Sequence, residues 1–499
     1  MKILTSHQIG LADRATIEKQ GITSLDLMER AATKCFDLIH KQYKRLKPNV
    51  KVFCGVGNNG GDGLVITRLL IESGYDVDCF VVSFSEKKST DFILNFERLT
   101  KTGVKIHSIK STNDFPCIDV DSLVIDAIFG IGLSRKVDGF TADLIQHINN
   151  SKATVLAIDI PSGLFADKPN LQEDTIIKAT HTYPFQSTKL AFLLPDNAKY
   201  LNTWDVVDIG LDVDFIDSLN SNYSVVDLSF VKTIYKHRNK FSHKGSFGHS
   251  LLIGGSYGKI GAITLATKAA LKSGSGLVTA YIPKCGYEIV QIAIPEAMAE
   301  VDAENQLEYF NYKSNPTVIG IGPGMGTSEK TIIGFTKFLQ ENRLPLVLDA
   351  DALNIISKQN ELLNLLPKDT ILTPHPKEFK RLVGAWSNDY EKLELLKSFA
   401  TKYKLIVVLK GAHTVIAKGD KLFFNSTGNP ALATGGSGDV LLGIITGLVA
   451  QKYNPLHAAI LGVYLHGLTA DLSIGKTSME SFTASDSIEN IGAAFLEIY

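Results

Sequence analysis

CGVGNNGGDGLVITRLL (residues 54–70) is the stretch whose reading decides the fold of the N-terminal half. A short apolar run closes on Gly55, a glycine-rich turn follows, and from Leu64 the apolar residues recur at helical spacing. A strand, a glycine-rich loop and a helix in that order aim backbone N–H groups and a helix N-terminus at an anion, and phosphate is the natural guest. The alternative is a tight strand-to-helix connection whose glycines only supply positive φ. Asn58, Asn59 and Asp62 favour the ligand: packing does not require three polar side chains at the C-terminal end of a strand, the edge where open parallel sheets bind small molecules.

Outward from this segment, VKVFCG (ending at Gly55), VDCFVV (77–82), VKIHSI (104–109), SLVIDAIFG (122–130) and TVLAIDIPSG (154–163) are short apolar runs with helix-length segments between them. They predict parallel strands buried on both faces, with helices in the connections. Upstream, LDLMERAATKCFDLIHKQY has a helical period, and Thr23 with Asp26 supplies a capping box. Two more strand ends resemble the first in chemistry. LVIDAIFGIGLSRKVDG (123–139) places Asp126 ahead of a glycine-rich turn carrying Arg135 and Lys136, and AIDIPSGL (157–164) carries Asp159 and Ser162. Three neighbouring strand ends of this kind would converge on one cleft.

Residues 211–245 turn polar and then basic without a sustained period, which puts a domain boundary near 220–235 and predicts domains at 1–222 and 223–499. The alternation restarts with SLLIGG (250–255), GAITLATKAALKSG, LVTAYIP, TVIGIGPG, PLVLDADAL, TILTPHP, LIVVLKG, HTVIA and KLFFN, a second α/β domain. Its strongest signal is NSTGNPALATGGSGDVLLGIITGLVAQ (425–451), where Gly435, Gly436, Ser437 and Gly438 lead into Asp439 and an apolar helix. Unpaired N–H groups and the helix dipole would face a transferring phosphoryl group, with Asp439 beside it as a base. A merely capped, buried helix explains the apolar stripe but not four small residues followed by Asp.

Bulk properties agree. A chain of 499 residues with 44% hydrophobic and 21% charged residues is long enough for several packed domains, and 51 basic against 52 acidic residues give a net charge of −1. That balance supplies no global attraction to nucleic acid or anionic membrane. Five scattered cysteines with no C-x-x-C pair argue against a disulfide framework or zinc knuckle and fit a reducing cytoplasm. The N-terminus has too short an apolar stretch for a signal peptide, no apolar run approaches a membrane span, and no period of 20–50 residues repeats. A soluble cytoplasmic protein is expected.

GNNGGDG, DAIFGIGL and DIPSGL, in this order, resemble the NAD(P)H-hydrate epimerase domain, a Rossmann-like three-layer αβα fold. The resemblance implies that Asn58, Asn59, Gly60, Gly61 and Asp62, with Gly130, Ile131, Gly132, Leu133, Ser134, Arg135 and Lys136, hold the hydrated dinucleotide. It implies further that Asp159 sits at the reacting nicotinamide ring and that Asn59, Asp126 and Ser162 surround a potassium ion. An all-oxygen set suits a hard cation, and a carboxylate can move the proton when the hydroxyl-bearing carbon inverts.

The G-x-G-D segment resembles the anion hole and base of ribokinase-like kinases, and IGGSYGKIGA (253–262), IGPGMG (321–326), DADALN (349–354), LTPHP (372–376) and LKGAHT (409–414) resemble one branch of them, the ADP- or ATP-dependent NAD(P)H-hydrate dehydratases. Together the two resemblances cover nearly the whole chain, as in two-domain bifunctional repair enzymes. They imply that Ala262, Gly324, His375 and Asp439 contact the hydrated nucleotide (NADHX or NADPHX), while Lys410, Gly411, Ala412, His413, Thr414 and Gly438 hold ADP or ATP with Mg²⁺. Related domains self-associate, so a homo-oligomer is expected. Taken alone, His375 between two prolines reads as a hydrogen-bonded turn residue and Lys410 as a strand-end surface lysine. The chain departs from the family pattern at Lys377, where a glycine is expected, and at Ala431-Leu432, which replace Gly-Met. A competing reading takes the second half as a vitamin-type kinase and the first as a non-catalytic scaffold. LTPHP and GGSYGKIGA favour the dehydratase, and Asn59, Asp126, Asp159 and Ser162 tell against the scaffold.

Overall fold

The computed structural model describes residues 1–499. The chain forms two compact units, one of residues 2–221 with 388–390, the other of Met1 with residues 222–387 and 391–499.

The first unit is built on seven strands: β1 (Val50–Cys54), β2 (Val77–Val82), β3 (Ile106–Ile109), β4 (Leu123–Ala127), β5 (Thr154–Ile158), β6 (Ala179–Tyr183) and β7 (Leu201–Trp204). Their order is β3-β2-β1-β4-β5-β6-β7, and every pairing is parallel. β1, β4 and β5 are therefore neighbours, and the loops after Cys54, Ala127 and Ile158 open on one edge. Alternate residues feed two cores: Val52, Cys54, Ile125 and Leu156 pack on one face and Phe53, Val124, Val155 and Ala157 on the other. That two-sided burial is why these strands read as unbroken apolar runs.

VKIHSI differs from its expected burial on both faces. β3 is an edge strand in which only Ile109 is buried, and the connection from it to β4 holds a single 3₁₀ turn, Thr112–Asp114, where a helix was expected. The helix Ser24–Tyr43 has the predicted Thr23/Asp26 capping box. A preceding helix, Ser6–Gln20, was not anticipated; its Thr5/Gln8 capping box and the buried Ile9, Ala12 and Thr16 account for it.

The second unit carries ten strands: β8 (Tyr223–Val226), β9 (His249–Ile253), β10 (Leu277–Ile282), β11 (Met298–Val301), β12 (Val318–Ile321), β13 (Leu346–Leu348), β14 (Ile371–Leu372), β15 (Ile406–Leu409), β16 (Val415–Lys418) and β17 (Lys421–Asn425). The order is β11-β10-β9-β12-β13-β14-β15-β16-β17-β8, parallel except for the antiparallel pairs β15–β16 and β16–β17. The stretch 211–245, which has no period long enough to read, contains the short edge strand β8 and the helix Leu228–Ile234. The helix Ser437–Ala450 is buried along nearly its whole length against the helix Ile260–Lys272. Small residues allow that approach, since a Cβ on Gly443 would lie 2.2 Å from the Ala266 carbonyl oxygen. No helix is long and apolar enough to cross a membrane.

Candidate active sites

A cavity of about 780 Å³ opens at the C-terminal edge of β1, β4 and β5. Asn58, Asn59, Asp62, Asp159 and the entire loop Gly130–Lys136 line it. Gly60 and Gly61 do not. A Cβ on Gly60 would lie 1.8 Å from the Gly55 carbonyl oxygen and one on Gly61 2.7 Å from Met28 Sδ, so these glycines let the helix Asn58–Glu72 lie close against its neighbours. Asp126 and Ser162, both fully buried, also stay out of the cavity.

Asp159 has φ +64°, a left-handed conformation that a non-glycine residue rarely keeps unless the surroundings enforce it. Its carboxylate accepts from the backbone N–H groups of Ile131 (3.2 Å) and Phe185 (3.3 Å), and Lys189 Nζ stands 3.2 Å away. The Lys189 side chain is 1% exposed and also donates to the Phe185 carbonyl oxygen. A buried lysine of this kind is found only with a partner. Sequence reasoning missed Lys189, although a lysine inside the otherwise apolar LAFLL approach was a readable signal. It also missed Asp13, which reaches the cavity from the helix Ser6–Gln20.

Beneath the floor, Asp126 accepts from Ser162 Oγ (2.6 Å), Ser162 N (2.8 Å) and Ile128 N (3.2 Å), while burial lifts its carboxyl to about 6. No lysine or arginine pairs with it. Asn59 lies beside Gly130, its amide nitrogen buried without a partner. Three oxygen-bearing side chains, one of them a buried carboxylate without a lysine or arginine partner, are a donor set of the kind a hard monovalent cation takes, whereas the unpartnered Asn59 nitrogen is a hydrogen-bond donor and offers a cation nothing.

In the second unit a cavity of about 640 Å³ is lined by all six residues assigned to the nucleotide: Lys410, Gly411, Ala412, His413, Thr414 and Gly438. Leu432, one of the departures, lines it too. Lys410 is no free surface lysine, because its Nζ lies 2.9 and 3.2 Å from the carboxylate of the buried Asp349. A Cβ on Gly438 would come within 3.2 Å of Asp349 Oδ2 and 3.4 Å of Lys410 Nζ, so the ion pair sits directly against the glycine loop. Gly436 caps the following helix with φ +87°. His466 was missed by sequence; buried in the same cavity wall, its Nε2 is 3.2 Å from Ser437 Oγ, and burial pushes its pKa down to about 4.

Asp439 lies in the first turn of the helix Ser437–Ala450. Burial, then the charge of Asp349, raise its carboxyl to about 7 against the opposing pull of Lys410. A carboxylate poised near neutrality suits a general base. Ala262 and Gly324 adjoin, since a Cβ on Gly324 would lie 3.4 Å from that of Ala262. Gly324 has φ +59° and Gly326 N donates to Asp351, tying IGPGMG to DADALN. His375 is the N-cap of the helix Pro376–Val383: its Nδ1 accepts from Lys377 N and Glu378 N, and its own N–H donates to Glu378. The ring is half-exposed, and Lys377 is used through its backbone.

Asp159 lines the first cavity, whereas Asp439 follows Gly438 of the second cavity's wall without lining that cavity itself, and Ala262, Gly324 and His375 do not line it either. Both units are α/β layers with a cavity at a glycine-rich loop, and the family comparisons follow the same division. Residues 250–492 match the NAD(P)H-hydrate dehydratase family and residues 24–191 the YjeF-related protein N-terminus. A ribokinase-like superfamily protein from Enterococcus faecalis shares the fold of the second unit, with TM-score 0.50 and 27% identity, covering 56% of this chain and 98% of that one. The whole chain belongs to the bifunctional NAD(P)H-hydrate repair enzyme family. It is 34% identical to the Moorella thermoacetica member over 98% of this chain and 96% of that protein, and 32% identical to the Escherichia coli member over 96% and 91%.

Proposed function

We propose that this chain repairs hydrated nicotinamide dinucleotides, with residues 1–222 interconverting the R and S forms of NADHX and NADPHX and residues 223–499 dehydrating the S form with ADP or ATP. The observation that carries the reading is the pair of separate cavities at glycine-rich loops, the first lined by Asp159 and the second by Gly438, which Asp439 follows, in a chain similar over nearly its full length to bifunctional repair enzymes. A kinase that releases a stable phosphorylated product would give no purpose to the Asp159 site. The test is to incubate the full chain with hydrated NADH and each nucleotide in turn and follow the absorbance of restored dihydronicotinamide; no recovery with either nucleotide refutes the reading.

In the second site hydroxide is a poor leaving group, so Asp439 deprotonates the C6 hydroxyl for attack on the terminal phosphate of the nucleotide. Lys410 and the N–H groups of the loop at Gly438 hold the phosphates. The ring nitrogen's lone pair then expels phosphate, and loss of a proton restores the dihydronicotinamide. Mg²⁺ arriving with the nucleotide would supply charge neutralisation, since no group of three or more His, Cys, Asp or Glu stands ready to hold a metal ion. Because the base works ionised and its carboxyl is raised to about 7, kcat/KM for dehydration is expected to fall by about tenfold per pH unit below 7 and to level off above it. A pH profile flat from 5 to 8 removes Asp439 from this role.

In the first site Asn59, Asp126 and Ser162 would hold K⁺, whose charge would offset that of the buried Asp126 carboxylate. Epimerisation is expected to survive EDTA and to weaken on replacing K⁺ with a bulky organic cation. Loss in EDTA with rescue by zinc or manganese contradicts the oxygen-only reading.

A further inference from the structure

We propose that Asp13 is a second proton-transferring catalytic residue of the N-terminal site, partnering Asp159 in the inversion at C6; the inference rests on the epimerase reading. Ser6, Ile9, Gly10 and Asp13 fall at i, i+3, i+4 and i+7 of the helix Ser6–Gln20, and all four line the 780 Å³ cavity together with Asp159. This helix lies outside residues 24–191, the part that matches the YjeF-related N-terminus.

Inversion needs two proton-transferring groups, because hydroxide departs from one face of the ring and water arrives on the other. One must be protonated when the other is ionised. The structure separates the two carboxyls in that way. The Asp159 carboxyl lies 3.2 Å from Lys189 Nζ and accepts from two backbone N–H groups, contacts that favour a base. Asp13 makes no ion pair; burial and then the charge of Asp159 lift it to about 6, with Lys189 and the adjacent Arg14 pulling the other way. Asp62 and Asp138 also line the cavity; burial, then the charges of Asp159 and Asp13, push the Asp62 carboxyl up. Environments that push two neighbouring carboxyls apart mark an acid and a base.

The step balances without an oxidant or reductant. The Asp13 carboxyl gives its proton to the C6 hydroxyl, the C6–O pair leaves with water, and the N1 lone pair forms N1=C6. Water adds to the other face, the N1=C6 pair returns to nitrogen, and the released proton passes to Asp159. The site then holds ionised Asp13 and protonated Asp159, which is the arrangement the reverse direction requires.

The experiment uses the full chain and R-NADHX without nucleotide, following appearance of the S form. Asp13→Asn is expected to slow interconversion by about 10²–10⁴-fold. Asp13→Glu should restore a measurable part of the rate, and dehydration of S-NADHX should stay at the parent level. Amide exchange over residues 50–72 reports whether the unit remains folded. Slowing with exchange protection retained supports the proposal. Interconversion by Asp13→Asn within about threefold of the parent, or slowing that comes only with lost protection, overturns it. A parent chain that leaves R-NADHX unchanged refutes the epimerase reading itself, before any variant is compared.

Discussion

Asp439→Ala is expected to lower nucleotide-dependent dehydration by about 10²–10⁴-fold while epimerisation continues at the parent rate. The asymmetry follows from placement: Asp439 sits in the first turn of a helix within the second unit, and nothing in the 780 Å³ cavity depends on it. Removing the same carboxyl with an isosteric side chain has a stability consequence of opposite sense. A carboxyl raised from 3.8 to about 7 in the fold costs nothing when protonated below 3.8, costs progressively more between those values, and carries the full penalty above 7. Asp439→Asn should therefore be more stable than the parent above pH 7, by on the order of a few kcal/mol, and indistinguishable from it near pH 4. An inactive variant that melts higher at pH 8 than at pH 4, relative to the parent, identifies a group kept strained for chemistry. If dehydration persists within a fewfold of the parent, Asp439 is not the base.

The elements that position the sites were legible in the sequence where they are buried on both sides. β1, β4 and β5 each read as an apolar run, and each ends where a polar loop begins. Their convergence was expected from the matched chemistry of the three strand ends, but the order in which the strands pair was not legible. It arises from hydrogen-bond pairing between strands far apart in sequence, such as Phe53 with Asp126 and Asp126 with Ala157. The glycine loop announced the second site for the same reason: only small residues admit the Asp349–Lys410 pair against Gly438. What stayed hidden were partners that act at a distance. Lys189 is 30 residues from Asp159 and Asp349 is 61 from Lys410, and each member looks like an ordinary charged residue until the fold buries the pair. Gly60 and Gly61 illustrate the converse, glycines in a binding motif that serve close packing. β3 was read as a parallel strand but with more burial than it has, and β8 was missed, because an edge strand of four residues has too few buried positions to carry a period.

With a mixed sample of hydrated NADH and saturating nucleotide, the full chain carrying Asp159→Asn is expected to convert only the S form quickly and then stall, leaving R-NADHX to react at the slow spontaneous rate. Asn is the better probe than Ala because position 159 has φ +64°, a conformation that Asn tolerates. Either change strands Lys189, whose side chain is 1% exposed, without its counter-charge, and breaking a buried pair from one side costs about 3–5 kcal/mol. A loss of activity could then reflect a loosened unit. The double variant Asp159→Asn with Lys189→Met separates the two effects, since replacing a whole buried pair by neutral side chains of similar size is often neutral or stabilising. The double variant should regain the thermal stability that the single one loses, yet still leave R-NADHX behind. Epimerisation returning together with stability would make Asp159 a packing partner of Lys189 and return the search for the proton carrier to the other acids of the cavity, Asp13, Asp62 and Asp138. Stability returning alone fixes the chemistry on the Asp159 carboxylate, at the end of the strand where the topology brings the three loops together.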